Sequence, residues 1–190
     1  MRLDVPGAQR AQLLAYLELL DRWNRTINLT SLEPAARVRR LVLEPLWLAQ
    51  RLSPAGRYLD VGSGNGSPAI PWCVGCAFSS ASLVESRARR AVFLDVVVRR
   101  LGFPAVRVWQ ARLNALGEPR PSPDWVTVQG VRLDRRLLGE IRELNRSARV
   151  VWFTRGGKPP EWPAQRIPVP GEAREALIFD GSGMAAPGQP

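Results

Sequence analysis

The 190-residue sequence predicts an α/β fold in which a mostly parallel sheet follows two N-terminal helices. Two observations support this. Short apolar segments alternate with amphipathic ones from residue 57 onward, and a glycine-rich run follows the first of these apolar segments directly. Hydrophobic residues make up 45% of the chain and charged residues 23%, which is an ordinary globular composition. The length favours one domain with one sizeable core.

Residues 1–55 are predicted to form a helical N-terminal extension. In residues 8–24, apolar side chains recur at helical spacing with charged side chains between them, which predicts an amphipathic helix. Residues 28–31 read as a turn, and residues 35–52 predict a second helix with a kink at Pro45. We interpret these helices as elements that pack on the rest of the domain.

Residues 56–180 are predicted to form the sheet and its flanking helices, so that residues 1–180 are a single domain. Residues 156–170 are rich in proline and are expected to be irregular, and residues 181–190 are expected to be a disordered tail. The predicted order is strand 57–61, helix from Pro68, strand 82–84, helix 87–101, strand 106–109, strand 125–128, helix 132–145, strand 150–153 and strand 176–179.

The net charge and the residue composition limit the partners and the kinds of site that this chain can have. The 27 cationic residues, all arginine except Lys158, exceed the 17 acidic ones and give a net charge of +10. Such an excess favours a nucleic-acid partner, although a GC-rich genome would also enrich arginine.

The absence of histidine excludes a His-based triad, and Cys73 and Cys76 are interpreted as two small buried thiols that cannot complete a zinc site. No segment is long and apolar enough for a membrane span, and no secretory leader is evident. We therefore expect a cytoplasmic monomer with no metal and no membrane partner.

A glycine-rich loop is the strongest sequence signal for a ligand. Residues 59–66 read LDVGSGNG, with glycines at every second position directly after a predicted strand. Glycine permits positive φ and lets a ligand lie against bare backbone. A dinucleotide fingerprint would need glycine where Ser67 stands, so that motif is broken. Residues 60–66 resemble motif I of class I S-adenosylmethionine-dependent methyltransferases. That resemblance implies that Glu85, at the end of the second predicted strand, accepts ribose hydroxyls; a tight turn beside an exposed carboxylate is the competing interpretation.

Three segments together resemble the glucose-inhibited division protein B (GidB) family. Residues 23–31 (WNRTINLTS) are similar to the family's W-N-x-x-x-N-L-T. Residues 59–71 (LDVGSGNGSPAIP) are similar to its L-D-V-G-T-G-x-G-F-P-G-I-P, and residues 84–94 (VESRARRAVFL) to its L-D-S-x-x-K-R-x-x-F-L. A generic methyltransferase carries only the glycine loop, so this combination is specific.

The resemblance implies a class I S-adenosylmethionine-dependent methyltransferase with a Rossmann-like sheet. It implies methylation of guanine N7 in 16S ribosomal RNA, with that RNA or the small ribosomal subunit as partner. Arg155 and Asn28 become candidate residues on the substrate side. The implied cofactor-binding residues are Asp60, Gly62, Ser63, Gly64, Asn65, Gly66, Glu85, Ser86, Ala111, Arg112 and Leu113.

The substrate-side motifs depart from the family pattern. Leu41 stands where the family has histidine, Gln129 where it has arginine, and Arg155 where it has lysine. Guanine N7 has no proton to remove, so its methylation needs alignment rather than a general base. Two alternatives stay open: a paralogue that binds cofactor or RNA without turnover, and a methyltransferase with a different substrate.

Overall fold

The computed structural model describes residues 3–154, 163–170 and 174–180, and within them the strands form one seven-stranded sheet. The order is β3-β2-β1-β4-β5-β7-β6; the first five strands along the chain are parallel, β7 runs antiparallel to β5, and β6 runs antiparallel to β7. The strands are β1 (Gly56–Val61), β2 (Phe78–Val84), β3 (Val106–Trp109), β4 (Trp125–Gln129), β5 (Arg149–Thr154), β6 (Gln165–Val169) and β7 (Arg174–Phe179).

Helices cover both faces of the sheet. Buried side chains of α1, α3, α4 and α5 form one core cluster with one face, and those of α6 and a short 3₁₀ turn form a second cluster on the other. The helices are α1 (Gly7–Ile27), α2 (Pro34–Arg37), a π-helical segment (Val38–Leu43), α3 (Glu44–Leu52), α4 (Ala69–Gly75), α5 (Ala88–Arg100), the 3₁₀ turn (Leu113–Ala115) and α6 (Arg135–Leu144).

Aromatic packing joins the N-terminal helices to the sheet. Trp72 of α4 is fully buried and stacks on Tyr58 of β1 with 5.5 Å between ring centroids. Its indole N–H donates to the backbone oxygen of Pro45 in α3 at 3.1 Å. The buried indole nitrogen therefore has its partner, and the extension and the sheet share one core.

The predicted second helix contains a π-helical segment, Val38–Leu43, which ends two residues before Pro45. Proline has no N–H, so the carbonyl of Leu41 loses its usual i+4 donor. The backbone N–H of Glu44 reaches the oxygen of Arg39, five residues back, which is the π-helical spacing.

Two predictions need correction. Residues 156–170 were expected to be irregular throughout, but Gln165–Val169 forms β6. Its backbone pairs with β7, and Ile167 and Val169 are buried, so tertiary pairing outweighs the proline at position 168. Cys73 and Cys76 were expected to be buried but are only half-buried, at the end of α4. The predicted tail, residues 181–190, lies outside the described residues.

Among the helices of the described residues, none has the length and apolar character needed to cross a membrane.

Candidate active site

A cavity of about 670 Å³ opens at the carboxyl ends of β1, β2 and β4 and beside the segment after β3. The chain crosses from β3 on one side of β1 to β4 on the other, so the cavity sits at the topological switch point, where ligands bind in open α/β sheets. Its volume lies within the range of about 300–1,000 Å³ typical of small-molecule sites. Its walls carry backbone amides, carboxylates and arginines.

The glycine loop after β1 is held against the end of β2. The backbone N–H groups of Gly62 and Ser63 both donate to the oxygen of Val84, at 2.8 and 3.0 Å. Gly62 has φ +74°, and a Cβ there would lie 2.5 Å from a methyl carbon of Val131. No other residue type can occupy this position without displacing Val131.

Glu85 lies at the centre of this arrangement. Its Oε2 accepts the N–H of Gly64 at 3.0 Å and its Oε1 accepts the N–H of Arg87 at 2.7 Å. A carboxylate offers about four lone-pair directions, so each oxygen of Glu85 can accept one more donor. The residue is 6% exposed and lines the cavity, which makes it a buried acceptor for a ligand that brings hydroxyl groups.

Asp60 lies beneath the loop in a chain of buried hydroxyl groups. Thr127 donates its only hydroxyl proton to Asp60 Oδ1, so the hydroxyl of Tyr58, 2.6 Å from Thr127 Oγ1, must be the donor in that second bond. Oδ2 of Asp60 makes no hydrogen bond within the described part of the chain. Burial raises the pKa of Asp60 to about 6, and the hydrogen bond from Thr127 opposes that rise.

The turn after α1 forms one wall of the cavity. Asn24 shapes this turn: its Oδ1 accepts the N–H groups of Leu29 and Thr30, and its Nδ2 donates to the oxygen of Thr30. Asn28, in a left-handed conformation at φ 44°, ends the helix. Arg90 of α5 donates to the oxygen of Asn28 at 3.2 Å and also lies beside Gly64, so it joins the turn to the glycine loop. The W-N-x-x-x-N-L-T segment is therefore a structural part of the site.

The end of β4 forms the wall across the switch point. Gln129 is half-buried, lines the cavity and places its Nε2 3.4 Å from Oγ of Ser67. Val131 follows, with its backbone oxygen accepting the indole N–H of Trp152 at 3.2 Å. A carboxamide and a hydroxyl thus line the cavity at the end of β4.

Most residues predicted for the site lie on the cavity wall. Asp60 and Gly66 lie behind it, and Arg155 is outside the described residues. The wall contains the predicted residues Asn28, Gly62, Ser63, Gly64, Asn65, Glu85, Ser86, Ala111, Arg112 and Leu113.

Two wall residues were not predicted from the sequence. Arg87 lies just before α5, only two residues after Glu85, and was not singled out within the segment 84–94; Glu140 comes from α6, whose side chains pack on the other face of the sheet. Their only sequence signal is position: each follows a strand in the parallel part of the sheet, so its helix begins near the carboxyl ends of the strands.

The family model GidB, described as rRNA small subunit methyltransferase G, matches residues 9–162. The chain belongs to this family. The match includes the turn after α1, the glycine loop and the end of β4, all of which line the cavity.

Curated relatives agree with this assignment. A protein named Ribosomal RNA small subunit methyltransferase G from Xylella fastidiosa (strain 9a5c) is 48% identical over 117 residues, which is 61% of this chain and 55% of the relative. A protein of the same name from Neisseria meningitidis serogroup C (strain 053442) is 36% identical over 121 residues, 63% of this chain and 58% of the relative. The matched stretch thus spans little more than half the length of these relatives.

Solved structures share the fold. A putative O-methyltransferase from Klebsiella pneumoniae superposes with a TM-score of 0.60 at 14% identity, covering 94% of this chain and 91% of that one. A SAM-dependent methyltransferase from Aquifex aeolicus gives 0.58 at 15% identity, covering 85% and 96%. The chain therefore has the class I methyltransferase fold, with the N-terminal helices packed on one face of the sheet.

Proposed function

We propose that this chain is an S-adenosylmethionine-dependent methyltransferase that modifies guanine N7 in small-subunit ribosomal RNA. The observation that carries the proposal is the Glu85–Gly64 contact at the switch-point cavity, in a chain of the GidB family. The net charge of +10 supports a polyanionic substrate, and a ribosomal RNA substrate implies a cytoplasmic enzyme.

The cavity residues fit adenosylmethionine. Glu85 has acceptor capacity left for the two ribose hydroxyls, and Gly64 presents bare backbone beside it. Asp60 lies behind the cavity wall, so its buried carboxylate would act on the cofactor's ammonium group through its charge and not by direct contact. Ala111 and Leu113, after β3, offer apolar surface to the adenine. When bound, the cofactor supplies an activated methyl group.

The part of the cavity wall at Gln129 is suited to hold the acceptor base. Gln129 offers an amide donor and an acceptor there, and Ser67 and Asn28 are further polar residues of the cavity wall. The N7 lone pair of guanine attacks without losing a proton, so these residues need only orient the base and exclude water. A site without histidine is compatible with that chemistry.

The direct test is methyl incorporation. Small ribosomal subunits and naked 16S RNA from cells that lack this modification would be incubated with the protein and tritiated adenosylmethionine, and the digested RNA analysed for 7-methylguanosine. We expect label in that nucleoside with the wild-type chain and labelling at least about tenfold slower with Glu85→Ala at low cofactor concentration. Label in a different nucleoside, or in no nucleoside, would contradict the proposed reaction.

A second candidate function is a cofactor-binding paralogue without turnover. The observation that favours it is Gln129, which stands on the cavity wall in place of the family's arginine. Binding of S-adenosylhomocysteine without methyl incorporation into subunits or naked RNA would support this candidate. If Gln129→Arg then incorporated methyl groups, the loss of turnover would be due to the absence of arginine at the end of β4.

A further inference from the structure

The N-terminal helix α1 contacts the glycine loop through one buried side chain. Tyr16 is fully buried, and its hydroxyl donates to the backbone oxygen of Asn65 at 2.8 Å, across 49 residues of sequence. Burial raises the pKa of Tyr16 far above its ordinary value, so the hydroxyl stays protonated and remains a donor.

The ring of Tyr16 also fixes the next residue of the loop. A Cβ at Gly66 would lie 3.1 Å from Cε2 of Tyr16 and 3.0 Å from Cγ1 of Ile70. Gly66 has φ +92°, and its own N–H donates to the oxygen of Ser63 at 2.6 Å. The loop therefore turns tightly against the tyrosine, with Gly64 and Asn65 left facing the cavity.

We propose that Tyr16 is a positioning residue for the cofactor, which holds the glycine loop in its binding shape through the Asn65 carbonyl. This inference rests on the proposed function, because the loop is taken to bind adenosylmethionine. It makes α1 a necessary part of the cofactor site, since the hydroxyl that holds the loop comes from the extension and not from the sheet.

The test uses Tyr16→Phe, which removes the hydroxyl and keeps the ring that packs on Gly66. The matched control is Gln12→Met on the same helix: Gln12 donates to the backbone oxygen of Leu101 at 3.0 Å, away from the cavity. Each variant loses one hydrogen bond from a side chain of α1 to a backbone carbonyl. Affinity for S-adenosylhomocysteine by calorimetry, thermal midpoint, and amide exchange at Gly64 and Gly66 would be measured for both.

We expect Tyr16→Phe to raise the Kd for S-adenosylhomocysteine about tenfold, because the variant loses one hydrogen bond that holds the loop. Amide exchange at Gly64 and Gly66 should become faster. Gln12→Met should lower the thermal midpoint about as much as Tyr16→Phe does. It should leave the Kd and the amide exchange of the loop unchanged. If both variants bind like the wild type, or both weaken binding equally, the positioning role is wrong. If the wild type does not bind the ligand, the proposed function fails, and the exchange comparison alone decides whether Tyr16 holds the loop.

Discussion

Oε2 of Glu85 accepts the backbone N–H of Gly64 at 3.0 Å, so the end of β2 is bonded directly to the glycine loop that follows β1. The same carboxylate, through Oε1, accepts the N–H of Arg87 near the start of α5. One buried side chain thereby links three segments of the cavity wall. A ligand that bonds to Glu85 is consequently placed against the loop.

Replacing Glu85 by glutamine should weaken S-adenosylhomocysteine binding by about 1–3 kcal/mol, because an amide offers one acceptor oxygen in place of two and carries no charge. Calorimetry would show a Kd about 10- to 100-fold higher. The control is Glu140→Gln, a carboxylate of the same cavity that pairs with exposed Arg136 on its own helix. Equal affinities for the wild type and Glu85→Gln would show that Glu85 does not bind the ligand.

Replacing Gly64 by alanine should abolish most cofactor binding. Its φ is +48°, and the added Cβ would stand 3.8 Å from Oε2 of Glu85, on the surface offered to the ligand. Gly102 is the matched control, because it has φ +68° and open space around it. Both alanine variants should lose about 1–2 kcal/mol of stability from the left-handed backbone. Only Gly64→Ala should lose affinity; a similar loss in Gly102→Ala would mean that stability, not the site, controls binding.

The raised pKa of Asp60 predicts that the difference in unfolding free energy between Asp60→Asn and the wild type depends on pH. With a pKa of about 6 in the folded protein against 3.8 ordinarily, the folded state holds the proton more tightly. Protonation of Asp60 therefore stabilises the folded state. This contribution to the unfolding free energy is complete below about pH 3.8 and is lost as the pH rises through about 6. Between about pH 4 and pH 7 the unfolding free energy of Asp60→Asn should therefore rise by about 2–3 kcal/mol relative to wild type. Denaturant titrations at the two pH values measure this; a constant difference between the proteins would contradict the assigned pKa.

The parallel core was predictable because its patterns are local. Strand 106–109 was predicted with the bounds that β3 has, and the glycine loop and Glu85 stand where strand ends were expected. Strand β6 was not predicted, because Pro168 and the surrounding composition favour a loop, and only pairing with β7 makes it a strand. The contact between Tyr16 and Asn65 was also beyond sequence reasoning, since it depends on how α1 packs across the sheet.

The basic charge predicts RNA affinity that depends strongly on salt. Arg87 is exposed on the cavity wall, whereas exposed Arg146 precedes β5 and so lies at the opposite edge of the sheet. Each phosphate contact contributes about 0.7–0.9 to the slope of log K against log salt. Arg87→Gln should reduce that slope by about 1 in titrations with 16S RNA, and Arg146→Gln should leave it unchanged. Equal slopes for the two variants would show that the cavity face is not where the RNA binds.

Calorimetry with S-adenosylmethionine and S-adenosylhomocysteine, with NAD as the control ligand, would decide whether the switch-point cavity binds adenosylmethionine. We expect one-to-one binding of the first two in the micromolar range, loss of that binding in Gly64→Ala, and no binding of NAD. Absence of binding by both adenosyl ligands, or binding of NAD in their place, would contradict this expectation.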